Sequence, residues 1–259
     1  MILSIETYLD YQLAGLTSAI LQVEAAAMPD QAILSSELVL SPHAHFSRVD
    51  SDGSLGQRVL LELSNRLETT YRARVEIKRP PVDLAGLPAT PIHLLPGPVL
   101  RYLMGSRFCP SDRFQNYVAA EFGDSAGGAR IQAMRDWIRT HLTYVPGESD
   151  STTTALETFV QRRGVCRDFA HVMITLARAS GIPARIASAY ALLEPPQDFH
   201  AVAEVFLDGG WHMVDATGMA RPEEMARIGV GRDAADVSFL TVYGQATLIR
   251  QSVEVRRDG

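Results

Sequence analysis

GVCRDFAHVMITLARASGIPARIASAY, residues 164–190, decides the fold. Phe169, Val172, Met173, Leu176 and Ala177 recur at the spacing of one helix face, and Gly181 and Pro183 stop the run. The helix therefore starts at Cys166, just after Gly164. That position carries chemistry, because the first amides of a helix lack intrahelical acceptors and, with the helix dipole, favour a thiolate over a thiol. The Cys166 amide is also suited to donate to the oxyanion of a tetrahedral intermediate. The competing reading of a lone cysteine is a small buried hydrophobe.

Upstream, TALETFVQRRG (154–164) reads as a short helix, with Thr154 and Glu157 at capping-box spacing and Gly164 as its exit. GGARIQAMRDWIRTHL (127–142) reads as a longer one, burying Ile131, Met134, Ile138 and Leu142. Downstream come strand-like RIASAYALL (185–193), a Pro195-Pro196 loop and the hairpin HAVAEVFL, DG, GWHMVDAT (200–217). SFLTVYG and ATLIRQSVEVR also read as strands. A helical half followed by an antiparallel sheet is an α+β arrangement.

A thiol nucleophile needs a base, and the base needs a group that fixes its tautomer. If Asp208-Gly209 is a two-residue turn, Asp215 opposes Val202 and lies diagonal to His200 on the same face, within reach of an imidazole and a carboxylate. A three-residue turn would put the two on opposite faces. Asp215 could instead cap a helix in TGMARPEEMA, and Asp198 and Glu204 are the next orienters to consider. His171 lies on the helix of Cys166 but points elsewhere, and His212 has the wrong strand parity. His43, His45, His93 and His141 lie in the first domain, the linker or at a helix end. Cys109, before a proline, reads as structural. Tyr144, Trp137 and Gln161 all precede the nucleophile as possible second oxyanion donors. Helix periodicity packs Trp137 between helices and does not rank the other two. The loop entering His200 is either a gate over substrate or a plain connection.

Residues 1–79 contain β-rich runs, LSIETYLDYQL, AILQVEAAA, AILSSELVLS, RVLLELS and TTYRARVEIKR, separated by turn residues. They suggest a small β-sandwich. Six of the fourteen prolines fall between residues 80 and 98, where fixed φ and missing donors break regular structure. The expected organisation is a β-rich domain over 1–80, a Pro-rich linker over 81–98 and a second domain over 99–259.

The chain has 259 residues, 46% of them hydrophobic, enough for two cores. Its 30 acidic and 24 basic side chains are interspersed, so no basic stripe is available for nucleic acid. Arg48 is the first basic residue, and no apolar run reaches the roughly 18–20 residues of a membrane span. A cytoplasmic location without membrane partners is therefore expected. Two cysteines are too few for a disulfide framework or a four-thiolate zinc site. There is no G-x-S-x-G elbow, P-loop, H-E-x-x-H or EF-hand loop, and GVGRDA lacks the βαβ context of a dinucleotide site. No cofactor or metal is expected.

The cysteine-helix segment, followed by FHAVAEVF and GGWHMVDAT, resembles the core of the bacterial transglutaminase-like family. The resemblance extends to YLMGSRFCPSDRF upstream, to GRDAADVSFL downstream and, in pattern, to the β-rich start. It implies a papain-like second domain with Cys166 as nucleophile, His200 as general base and acid, and Asp215 as orienter. It implies thiol-dependent acyl transfer on a peptide or protein amide, with hydrolysis by a peptidase or amidase expected first. True transglutaminase activity, or a peptide-binding module without turnover, are the alternatives. Relatives are often associated with ATP-grasp peptide ligases, so such a partner is implied by resemblance alone. Two positions depart from the family pattern: His200-Ala201 is followed by Val202 rather than Trp, and Asp215-Ala216-Thr217 replaces Asp-Pro-Thr. The missing aromatic implies a reshaped acyl-acceptor side. Arg232, Asp233 and Asp236 read as solvated or hairpin-bracing residues.

Overall fold

In the computed structural model, which describes residues 1–51, 53 and 55–258, alternation of apolar and polar side chains builds the N-terminal half. Strand β1 (Ile2–Leu13) turns Leu3, Ile5, Thr7 and Leu9 inward. The others are β2 (Thr17–Leu21), β3 (Gln31–Leu40), β4 (His45–Asp50), β5 (Gln57–Leu63) and β6 (Arg66–Ile77). β1 and β6 are antiparallel, with Leu3 opposite Val75 and Ile5 opposite Ala73. Their inward residues and those of β2 and β5 form one core around Leu9, Leu21, Leu63, Leu67 and Tyr71.

The helical half follows the proline-rich segment. It comprises α1 (Gly97–Leu100), α2 (Gln115–Phe122), α3 (Gly127–His141), α4 (Ala155–Gln161) and α5 (Cys166–Ala179), with a short parallel pair, β7 (Thr143–Tyr144) and β8 (Arg163–Gly164), leading into α5. Ile131, Met134, Ile138 and Leu142 are buried as their spacing requires. Helix α4 starts with the expected capping box, in which Glu157 accepts the Thr154 amide at 2.9 Å. Its exit differs from expectation: Arg162, at φ 60°, takes the left-handed position. Gly164 serves another purpose. A Cβ there would lie 2.7 Å from the Asp168 Cβ, so only glycine lets that carboxylate fold back under the start of α5.

Helix α5 was expected to bury one stripe, yet Ala170, His171, Ile174, Thr175 and Arg178 are buried as well. The helix is enclosed by α3, α4 and a third sheet. That sheet has the order β11-β10-β9-β12, formed by β9 (Ala184–Ala191), β10 (His200–Leu207), β11 (Gly210–Val214) and β12 (Met225–Gly231), all antiparallel. Every residue of β9 is buried: Ala184 and Ile186 pack with α5, Tyr190 on the same face joins the sandwich core, and Ala187, Ala189 and Ala191 on the opposite face form a further core with Val202, Met213 and Val230.

The end of the chain does not stay with the segment in which residues 99–259 were grouped. Strand β13 (Leu240–Tyr243) pairs with β2, and β14 (Ala246–Arg257) pairs with β1 along its length. The orders are β14-β1-β6-β3 and β13-β2-β5-β4. Without these last strands, β1 and β2 would be edges with unpaired backbone groups. The alternation in residues 246–257 declares a strand but does not name its partner. A buried ion network ties the halves together: Glu204 accepts Arg185 Nε at 2.7 Å and also Arg227 Nε, while Arg227 reaches Asp30, which holds Arg79.

Candidate active site

The hairpin of β10 and β11 decides how His200 and Asp215 meet. Asp208 (φ 48°) and Gly209 (φ 75°) are both left-handed, as a two-residue type I′ turn demands. The ladder pairs Leu207 with Gly210 and Ala203 with Val214, so Asp215 follows opposite Val202, on the His200 face. His200 Nε2 and Asp215 Oδ2 are 3.0 Å apart, with both side chains almost wholly buried.

Asp215 is itself held by four groups. Oδ1 accepts the Thr217 amide at 2.8 Å and the Thr217 hydroxyl at 2.6 Å, and Oδ2 accepts the Ala220 amide at 3.0 Å as well as the histidine. Burial works against its ionised form, but the bonds from His200, Thr217 and Ala220 win, so its carboxyl lies below the ordinary range. The segment read as a possible helix, TGMARPEEMA, forms a single 3-10 turn, Pro222–Glu224, before β12 begins at Met225.

Cys166, half-buried, opens α5. Asp168, fully buried, accepts the Val165 amide at 2.8 Å and the Ser149 hydroxyl at 2.5 Å, which fixes the entry of the helix. Because Nε2 of His200 is taken by Asp215, Nδ1 is the nitrogen left for the thiol. Burial disfavours protonation of this imidazole, yet hydrogen bonds with Asp215 and Cys166 overcome it and raise it from 6.5 to about 10. The constellation thus favours an imidazolium held between a carboxylate and a sulfur.

The other titratable candidates go elsewhere. His171 is buried in the core, where desolvation pushes it down to about 4. Its Nε2 accepts the Ala234 amide at 3.1 Å, and its ring stacks on Phe108. Cys109 is fully buried and its thiol is pushed up to about 12 by desolvation. His212 Nε2 lies 3.2 Å from the Leu207 carbonyl. Glu204 is spent on two arginines, and Asp198 turns to the Phe199 amide and to Gln251.

Of the residues preceding Cys166, Trp137 stacks on Phe159 and His141, and Gln161 is exposed at the end of α4. Tyr144 is the one beside the sulfur. Burial first, and then the adjacent Cys166, raise its phenol to about 12, and the Cys166 amide lies against the same oxygen. The parallel pairing of Tyr144 with Gly164, two residues before the cysteine, produces this neighbourhood. No periodicity in the sequence announces it.

A cavity of about 490 Å³ opens on Cys166 and His200. One wall is residues 107–108, 234–235 and 237–239, which the sequence did not reveal as site residues. Asp233 fastens that wall, accepting the Phe108 amide at 2.9 Å and the Ala235 amide at 3.1 Å. Arg178 adds bonds to the Met104 and Arg232 carbonyls. The loop before His200 is fastened too: Gln197 donates to the Leu193 and Val255 carbonyls and accepts the Val255 amide. These bonds tie the loop to β14.

Residues 116–216 match the model of the transglutaminase-like superfamily, a span that contains all three residues of the constellation. The chain is 33% identical over 120 residues to an uncharacterized protein of Mycobacterium leprae and 31% identical over 147 residues to one of Mycobacterium tuberculosis. The matches cover 42% and 48% of this chain, and 42% and 47% of those relatives, so the chain spans less than half their length. A solved structure, a candidate cysteine protease from Cytophaga hutchinsonii, is 31% identical with a TM-score of 0.90, covering 99% of this chain and 90% of that one. With that agreement running from the sandwich through the cysteine helix to the last strand, this chain belongs to the transglutaminase-like superfamily.

Proposed function

We propose that the protein is a thiol-dependent acyl-transfer enzyme that hydrolyses peptide or side-chain amide bonds, with Cys166 as nucleophile, His200 as general acid and base, and Asp215 as the residue that orients the imidazole. The observation that carries this reading is the buried 3.0 Å contact between His200 Nε2 and Asp215 Oδ2, made on a hairpin beside the first residue of α5. The similarity to a candidate cysteine protease over nearly the whole chain supports a peptidase or amidase.

The Cys166 sulfur, as thiolate, bonds to the amide carbonyl carbon, and the oxygen gains the negative charge. The Cys166 amide donates to that oxygen, and Tyr144, whose phenol stays protonated at neutral pH, is suited to donate as well. The C–N bond then breaks and the imidazolium gives its proton to the leaving amine. A water molecule, losing a proton to His200, attacks the thioester and releases the acid and the thiolate. An amine in place of that water would give transglutamination.

Alkylation by iodoacetamide near neutral pH, followed by peptide mapping, tests the thiol and its base. Cys166 should label far faster than the buried Cys109, and more slowly in His200→Ala. Equal, slow labelling of the two cysteines would sink the proposal. Incubation with a glutaminyl peptide library, with and without a primary amine, then separates hydrolysed from amine-linked products.

A further inference from the structure

The cavity beside Cys166 has a chemical bias that the acyl-transfer reading does not use. Its lining is mostly apolar, with Ile186, Phe199, Val237 and Phe239 prominent, and it contains two arginines and no carboxylate among the described residues. The arginines differ. Arg167 donates from Nε and Nη2 to Asp168, the Ser149 hydroxyl and the Asp150 carbonyl, so its charge is already paired within the protein. Arg107 is exposed and has no carboxylate partner among the described residues; its guanidinium lies 4.9 Å over the Phe108 ring.

That ring is not a loose platform. Phe108 is buried, its amide is held by Asp233 at 2.9 Å, its carbonyl accepts the Ala155 amide at 2.8 Å, and its ring lies parallel to the His171 ring at 5.2 Å. A cation stacked on a fixed aromatic face keeps its in-plane N–H donors available, and a guanidinium fork matches a carboxylate in geometry. The chain as a whole carries six more acidic than basic residues, so it repels anions elsewhere. An unpaired arginine at the mouth of an apolar cavity is therefore a local selector.

We propose that this cavity accepts acyl donors bearing a carboxylate next to an apolar side chain, with the apolar group against Phe199 and Phe239 and the carboxylate on Arg107. The inference rests on the acyl-transfer reading of Cys166 and names the class of substrate for that site. The carboxylate can belong to the terminus of a peptide or to an acidic side chain.

Charge-matched affinity labels test it. N-iodoacetyl-phenylalanine and N-iodoacetyl-phenylalaninamide differ only in the carboxylate, and the ratio of their rates of Cys166 alkylation cancels changes in thiol reactivity. The wild type should favour the carboxylate label by about fivefold, the scale of an exposed ion pair. The His200 imidazolium also attracts the anion, so the variants carry the decision: the ratio should fall in Arg107→Ala, fall further in Arg107→Glu and be partly kept in Arg107→Lys. N-iodoacetyl-glycine should lag behind the phenylalanine label. A second pair, N-iodoacetyl-Phe-Glu-amide and its Gln counterpart, separates the sources: preference in the first pair alone supports a terminal carboxylate, and preference in the second supports an acidic side chain. No preference in the wild type, or a preference untouched by Arg107→Glu, overturns the proposal. Failure of iodoacetamide itself to select Cys166 in a His200-dependent way would instead overturn the acyl-transfer reading.

Discussion

Replacing Asp215 by Asn tests the coupling on which the site depends. Both side chains of the pair are nearly sealed from water, at 1% and 3% exposure, so solvent does little to screen the loss. An Asn amide directed at Nε2 also favours the tautomer with the proton on Nδ1, which cannot serve as base toward sulfur. A charge-assisted hydrogen bond of this kind contributes about 1.5–3 kcal/mol, which corresponds to roughly one to two pH units on the imidazole. His200, raised to about 10 in the native protein, should therefore titrate near 8–9 in Asp215→Asn. Labelling histidine with 13C at Cε1 and following the spectra with pH reads this directly, with His200→Ala identifying the resonance. Stability supplies a second readout with a definite sign. Because the folded imidazole is raised above 6.5, its contribution is fully present below that pH and is lost as pH rises through about 10. Urea denaturation should thus find the variant less stable by about 2 kcal/mol at pH 6, with the gap closing towards pH 11. A His200 midpoint still near 10 in the variant, or an equal destabilisation at both pH values, would refute the coupling.

Inserting one glycine between Asp208 and Gly209 lengthens the turn to three residues; circular dichroism should show the sheet retained while the His200 resonance moves as in Asp215→Asn, because Asp215 has changed face. Gly164→Ala drives a Cβ to 2.8 Å from the Asp168 carboxylate and should cost about 1–3 kcal/mol in urea denaturation while slowing alkylation of Cys166. Glu204→Ala leaves Arg185 without its buried carboxylate and Arg227 with Asp30 alone, and thermal or urea unfolding should show a loss of about 3–5 kcal/mol.

How much of this was legible follows from the range of the forces involved. Local rules placed Cys166 at the start of a helix, since glycine, proline and the apolar period act within a few residues. They also supplied the hairpin as a condition: Asp208-Gly209 is a two-residue turn signal, the structure holds both positions left-handed, and the period of two then carries Asp215 to the His200 face. The α3 core residues and the α4 capping box were readable for the same reason. Long-range pairing was not. The alternation of residues 246–257 suits any sheet edge, and only the assembled sandwich shows that β1 needed a partner there. Tyr144 comes to Cys166 through a two-residue parallel bridge too short to leave a pattern, and Asp233 joins the cavity wall through the amide of Phe108, 125 residues away. The sequence alone determined that a cysteine opens a helix and that a histidine and an aspartate can share one hairpin face; the tertiary structure decided which surfaces enclose them, because burial and charge balance are summed over segments that meet only once the chain has folded.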